Sequence, residues 1–195
     1  MKQWSLPSVC FSHSYHSVAY ATHHDLFINW IKKNFTKKIK VVDIGGGNAR
    51  FFLGLKPYVD FYWNLDLNVE NITIANKFFL EEKCLKSILF DGDFEEFSID
   101  CDVVYIDSVL TMIEKPFDAL LKFKNFCDYI FINRTSLDFT SSQKKNYKWA
   151  GMISESILWE FDKTTMLNFC ENHNMELNIL KNNSFVIKTN KTSDE

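Results

Sequence analysis

The chain has no C-x-x-C pair, no internal repeat, no low-complexity stretch, no apolar run near its start and no basic excess. Each absence removes a class of protein. Its cysteines, at 10, 84, 101, 127 and 170, are odd in number and scattered, which reads as reduced thiols and not as a disulfide frame. Cys101 and Cys127 open apolar runs, as buried thiols do. A formal net charge of −3 leaves no electrostatic footprint for nucleic acid, so no nucleic-acid partner is expected. Met1 to Tyr20 carries no continuous apolar segment, so neither a signal peptide nor a membrane span is expected, and a soluble, cytoplasmic protein is. Lysine pairs at Lys32-Lys33, Lys37-Lys38 and Lys144-Lys145 read as solvated helix ends and loops.

What is present is apolar and aromatic: 46% hydrophobic residues, with 19 Phe in 195 residues, exclude a disordered chain. The length suits one domain over 1–195, with a lid-like helical leader over 1–35 and a core over 39–190. Patterning predicts an irregular leader to about Thr22, then a helix over 23–35 whose Leu26, Phe27, Trp30, Ile31 and Phe35 share a face. Strands follow at 39–44, 59–67, 85–90, 102–106 and 129–132. Helices fall at 48–55, 69–82 and, opened by Pro116, to about 126. Such alternation implies a Rossmann-like, doubly wound α/β sheet, mostly parallel. The tail changes character. Asp162 caps a helix to about Asn172, and strands at 176–180 and 185–188 flank a turn holding Asn182-Asn183, an antiparallel hairpin. The stretch from Thr140 to Ile157 reads as a long binding loop, with Tyr147 and Trp149 lining an acceptor.

The run Val41-Val42-Asp43-Ile44-Gly45-Gly46-Gly47-Asn48-Ala49-Arg50 is a strand that breaks into glycines before an apolar helical pattern. Glycines there let a ligand approach the backbone closely, and a following helix N-terminus offers N–H groups. A dinucleotide fingerprint needs a third glycine where Arg50 stands. Asp43 would repel a pyrophosphate and attract a cation. S-adenosyl-L-methionine (SAM) carries an ammonium and a sulfonium and no phosphate. A glycine turn that merely ends a strand is the open alternative. The pattern resembles the first motif of class I SAM-dependent methyltransferases, and the antiparallel close of the sheet is similar to theirs.

Further candidates sit at predicted strand ends, where open α/β sheets bind ligands. Asp66, about 20 residues past the glycines with Leu67 beside it, is spaced to reach a ribose, or is a solvent-facing turn residue. In Asp91-Gly92-Asp93-Phe94, the resemblance implies that Asp93 accepts from the adenine amino group while Phe94 packs on the ring. Both aspartates also read as turn formers. Asp107 is either a cofactor contact or a catalytic carboxylate. A divalent-metal site would want a second carboxylate on the fifth strand, which ends Asn133-Arg134, so no metal is expected. Arg134 is suited to grip a phosphate or carboxylate bidentately, or else pairs with Asp138 or Glu160. Among His13, His16, His23 and His24, near Tyr15 and Tyr20, His23 is the candidate general base. His173 reads as a charge at a helix C-terminus.

A narrower resemblance covers about Lys40 to Leu177. Asp107-Ser108-Val109-Leu110, Glu114-Lys115-Pro116, Asn133-Arg134-Thr135 and Trp159-Glu160-Phe161 are similar to a group of methyltransferases associated with bacterial O-antigen and capsule gene clusters. Asn133 departs from the Asp usual there. The resemblance implies O-methylation of a sugar or sugar phosphate in surface-polysaccharide biosynthesis. Methylation of another small metabolite, or a non-catalytic SAM-fold binding protein, stays open, as does the oligomeric state.

Overall fold

The computed structural model describes residues 16–147, 156–181 and 183–191, with side chains over 25–146, 158–181 and 183–191. Five helices and nine strands follow one another in those residues. Seven strands form one sheet, in the order β3 (Leu85–Leu89), β2 (Val59–Asp66), β1 (Ile39–Ile44), β4 (Val103–Asp107), β5 (Tyr129–Asn133), β9 (Phe185–Lys188) and β8 (Glu176–Ile179), and β6 (Asp138–Tyr147) and β7 (Ser156–Asp162) form a separate pair. The described residues divide into two compact units, a first that ends at Phe90 and a second that begins at Asp91.

In the first unit, α1 (His16–Asn34) precedes β1 (Ile39–Ile44), α2 (Phe52–Leu55), β2 (Val59–Asp66), α3 (Val69–Phe78) and β3 (Leu85–Leu89). β1 is buried at every position but Lys40 and pairs in parallel with β2, as a β-branched run between two faces should. β2 pairs in parallel with β3. The helical face drawn from the sequence is present, with Phe27 and Ile31 buried. The helix itself starts at His16, so the predicted irregular leader is helical over its last seven residues, 16–22. The helix predicted over 48–55 is a single turn. Phe52, Leu53 and Gly54 donate to carbonyls three residues back, so 46–51 is tight turn and helix begins only at Phe52. The helix predicted over 69–82 stops at Phe78, with Asn68 capping its start through Glu70 N at 2.8 Å.

The second unit holds β4 (Val103–Asp107), α4 (Pro116–Lys124), β5 (Tyr129–Asn133), β6 (Asp138–Tyr147), β7 (Ser156–Asp162), α5 (Lys163–Asn172), β8 (Glu176–Ile179) and β9 (Phe185–Lys188). β4 and β5 run in parallel, β9 is antiparallel to β5, and β8 pairs with β9. Asn183, in the turn of that hairpin, is left-handed at φ 55°, the conformation asparagine tolerates. Asp162 caps α5 through Thr165 N at 2.8 Å.

Thr140 to Ile157 is not a structureless loop. Residues to Tyr147 belong to β6, which pairs antiparallel with β7, and Trp149 lies outside the described residues. The polar, lysine-bearing run hid the strand, because its apolar partners arrive only with β7. The Lys144-Lys145 pair therefore stands in a strand and not in a loop. Cys101 and Cys127 are buried, and burial holds the Cys127 thiol well above its ordinary range. Among the described residues no helix is long and apolar enough to cross a membrane.

Candidate active site

In the first unit the glycine turn rests on a buried polar base. Gly45 and Gly47 have φ of 75° and 60°, where L side chains are strained. Gly46 is needed for a different reason. A Cβ on it would lie 2.2 Å from Asn64 Oδ1 and 2.4 Å from Asp43 Oδ2. Asp43 is 2% exposed and accepts a hydrogen bond from the Tyr62 hydroxyl. Its carboxylate lies against the turn, under Gly46. Asn64, fully buried, donates from Nδ2 to Gly47 O at 2.9 Å and to Ser87 Oγ at 3.3 Å, tying β1, β2 and β3 together.

Asp66, half-buried at the end of β2, takes three donors. Gly47 N reaches Oδ2 at 2.9 Å, while Asn68 N at 2.8 Å and Asn71 Nδ2 at 3.3 Å reach Oδ1. The carboxylate thus braces the glycine turn, and a carboxylate's four acceptor positions leave one for a ligand hydroxyl. Leu67 follows it, 38% exposed. Tyr62, Asn64 and Asn71 were missed by sequence reasoning. Asn64 and Tyr62 sit two and four residues before Asp66, and only that alternation pointed to them.

In the second unit Asp91 and Asp93 both behave as turn formers. Asp91 Oδ1 accepts from Asp93 N at 3.0 Å, and Asp93 Oδ1 accepts from Glu95 N at 2.9 Å, capping a short 3₁₀ turn. Phe94, 8% exposed, meets Phe123 edge-on at 5.3 Å. The two residues still face one cleft, of about 330 Å³, with Ile113 and Ala119 on its apolar side and Lys115 and Asp118 on its polar side.

The ends of β4 and β5 carry a closed ion pair. Arg134 Nε is 2.6 Å from Asp107 Oδ1 and its Nη2 is 2.8 Å from Oδ2, a bidentate fork. Asp107 is the carboxylate this fork holds. Both strands then turn sharply, with Arg134 at φ 52° and Ser108 at φ 62°. Asn133, 1% exposed, donates from Nδ2 to the Tyr105 hydroxyl at 3.2 Å and accepts from Ser184 Oγ at 2.6 Å. An amide offers both a donor and an acceptor there, and an ionised carboxylate only acceptors. His16, Tyr20, His23 and His24 have their backbone in α1 and their side chains outside the described residues; His13 and Tyr15 lie outside them altogether. His173 caps the C-terminus of α5, and its carbonyl accepts from Lys124 Nζ at 2.7 Å. Among the described residues no cluster of His, Cys, Asp or Glu is arranged to hold a metal ion.

The chain shares its mostly parallel sheet and antiparallel close with the fold of solved structures that include SAM-dependent methyltransferases. One is a SAM-dependent methyltransferase from Clostridium acetobutylicum, at TM-score 0.64 and 14% identity, covering 91% of this chain and 97% of that one. A second is SAM-bound CalS10, an amino pentose methyltransferase from Micromonospora echinaspora involved in calicheamicin biosynthesis, at TM-score 0.63 and 10% identity, covering 86% and 90%. A third is the N-terminal domain of EvdMO1 with S-adenosylhomocysteine (SAH) and D-fucose, at TM-score 0.62 and 13% identity, covering 87% and 83%. No protein-family model and no curated protein matches the chain.

Proposed function

We propose that this chain is a SAM-dependent methyltransferase, acting as one domain over residues 1–195, that methylates a hydroxyl of a sugar or sugar phosphate. The observation that carries the reading is Asp66 braced on Gly47 N, with Gly45 and Gly47 left-handed and Gly46 without room for a Cβ. That cradle suits a cofactor with a ribose and no phosphate. Asp43, Gly45, Gly46, Gly47, Asp66 and Leu67 in the first unit are its cofactor residues. Asp93 and Phe94, on the cleft of the second, take the adenine. SAM supplies an electrophilic methyl group on a sulfonium. The chain's own residues then orient the acceptor oxygen in line with it and take its proton.

Asp107 and His23 are the proposed proton acceptors. Arg134 positions the Asp107 carboxylate through its two hydrogen bonds. An amino pentose methyltransferase and a D-fucose-containing structure among the structural neighbours support a sugar acceptor, and the motif resemblance supports a place in surface-polysaccharide biosynthesis within the cytoplasm. Calorimetry with SAM and SAH is the direct test: binding of both is expected, and Asp66→Ala should weaken it more than Asp91→Ala. Binding of a nicotinamide cofactor with no heat from SAM or SAH overturns the reading.

One observation favours a second reading, a non-catalytic SAM-fold binding protein: both oxygens of Asp107 are already taken by Arg134. Methyl transfer from labelled SAM to any sugar, nucleotide sugar or small metabolite excludes it.

A further inference from the structure

Among the described residues, three cations lie on β6 and β7 or at the end of β5 in the second unit, and they differ in what holds them. Arg134 is closed on Asp107. Lys145 Nζ is 2.5 Å from Glu160 Oε2, whose side chain is only 6% exposed. Lys144 is exposed, stands 5.7 Å from the Trp159 ring centroid, and among the described residues meets no carboxylate. Lys144 and Trp159 are direct cross-strand partners.

The ring beneath Lys144 is fixed. Trp159 Nε1 donates to Glu114 O at 3.1 Å, so the indole is pinned to the connection that leaves Asp107 and enters α4. Phe161 stacks on it at 6.1 Å and 15°, and Phe117 meets it edge-on. An aromatic face pinned by its neighbours and covered by an exposed cation results.

We propose that Lys144 and the Trp159 face form a subsite for a phosphate monoester on the methyl acceptor, and this rests on the methyltransferase reading above. An exposed cation–π contact is weak and is readily exchanged for charge-assisted hydrogen bonds to a dianion. Lys145 would have to give up its ion pair with the buried Glu160 carboxylate to make that exchange. Arg134 would have to release Asp107. When Lys144 swings to the phosphate it uncovers the indole for the apolar face of a sugar ring. The anion-reading role that the sequence suggested for Arg134 belongs to Lys144.

Calorimetry of the full chain with glucose 1-phosphate, inorganic phosphate and glucose tests this, with SAH titrated into the same preparations. Glucose 1-phosphate is expected to bind most tightly and glucose not at all. Lys144→Ala should weaken glucose 1-phosphate by about tenfold or more and Lys145→Ala by less than about twofold. Lys144→Arg should retain binding, and SAH heats should be the same in every variant. Wild-type affinity in Lys144→Ala overturns the subsite, as does silence from both phosphate compounds in a chain that binds SAH. Equal affinity for inorganic phosphate and glucose 1-phosphate removes the sugar component. Lys144-dependent glucose 1-phosphate binding in a chain that ignores SAH keeps the subsite and sinks the methyltransferase reading.

Discussion

The two units carry their candidate chemistry differently. In the first, the residues that shape the glycine turn come from one β-α-β segment: Asp43, Gly45 to Gly47, Tyr62, Asn64 and Asp66 lie within about two dozen positions of one another. Their hydrogen bonds follow from the parallel register of β1 on β2, in which Asp43 pairs with Asn64. In the second unit the contacts are distant in sequence. Arg134 reaches Asp107 across 27 residues, Ser184 reaches Asn133 across 51, and Trp159 reaches Glu114 across 45. A local motif announces a site whose partners are bound to meet once the strands pair. A site assembled from separate segments announces only its separate residues.

The sharpest way to break this comparison is at the crowded glycine. Gly46→Ala forces a Cβ onto Asn64 and Asp43, and destabilisation of about 3 kcal/mol by urea unfolding is expected, together with loss of SAH binding. Gly54→Ala, where the new Cβ would meet only Ile28 Cδ1 at 3.5 Å, should leave stability within about 1 kcal/mol of wild type. Similar losses at both positions would show that the turn is not specially packed.

Next in size is the buried carboxylate. Tyr62→Phe removes the hydroxyl that donates to Asp43, and a loss of about 1–3 kcal/mol is expected in the same unfolding assay. A neutral result would mean that Asp43 finds its donors elsewhere.

In the second unit, Asp162→Ala should cost about 1 kcal/mol through the lost helix cap. Hydrogen bonds from Thr165 and Ser142 hold the Asp162 carboxyl at about 2, below its ordinary 3.8. Its folded pKa is lowered, so its stabilisation is complete above about pH 4 and fades as pH falls toward 2. Unfolding curves of wild type and Asp162→Ala should therefore converge in acid. A gap that stays constant from pH 7 to 2 would contradict the assignment.

The smallest stability effect is expected at Arg134→Ala, at most about 1 kcal/mol, because Arg134 is 41% exposed. Turnover should nevertheless fall by at least about tenfold, since Asp107 loses both positioning hydrogen bonds. Unchanged turnover would take Arg134 out of the machinery.

Element order and the glycine turn were legible because periodicity and turn chemistry are local properties. The bounds of β1 match their expected span residue for residue, and Asp162 caps α5 as its position before an apolar helical run implies. The pattern misled where tertiary pairing outweighed it. Asn48 to Phe51 looked helical but closes as a tight turn under the constraint of Gly45 and Gly47, and the polar β6 became a strand only because β7 returned beside it. Asp66 stands at the end of the second strand as the pattern implies, yet its three donors were not legible, since two of them are backbone amides that no residue type reveals.

The amino-acid order alone determined a mostly parallel α/β sheet with an antiparallel hairpin, a glycine turn after the first strand and a carboxylate after the second. Strand periodicity, glycine's conformational freedom and capping act over a few residues and leave their mark there. Tertiary structure decided that Asp43 faces Tyr62, that Arg134 closes on Asp107, and that Lys145 is spent on Glu160 while Lys144 rests on Trp159. Charge pairing depends on distance in space, and space is assigned only when the strands choose their neighbours.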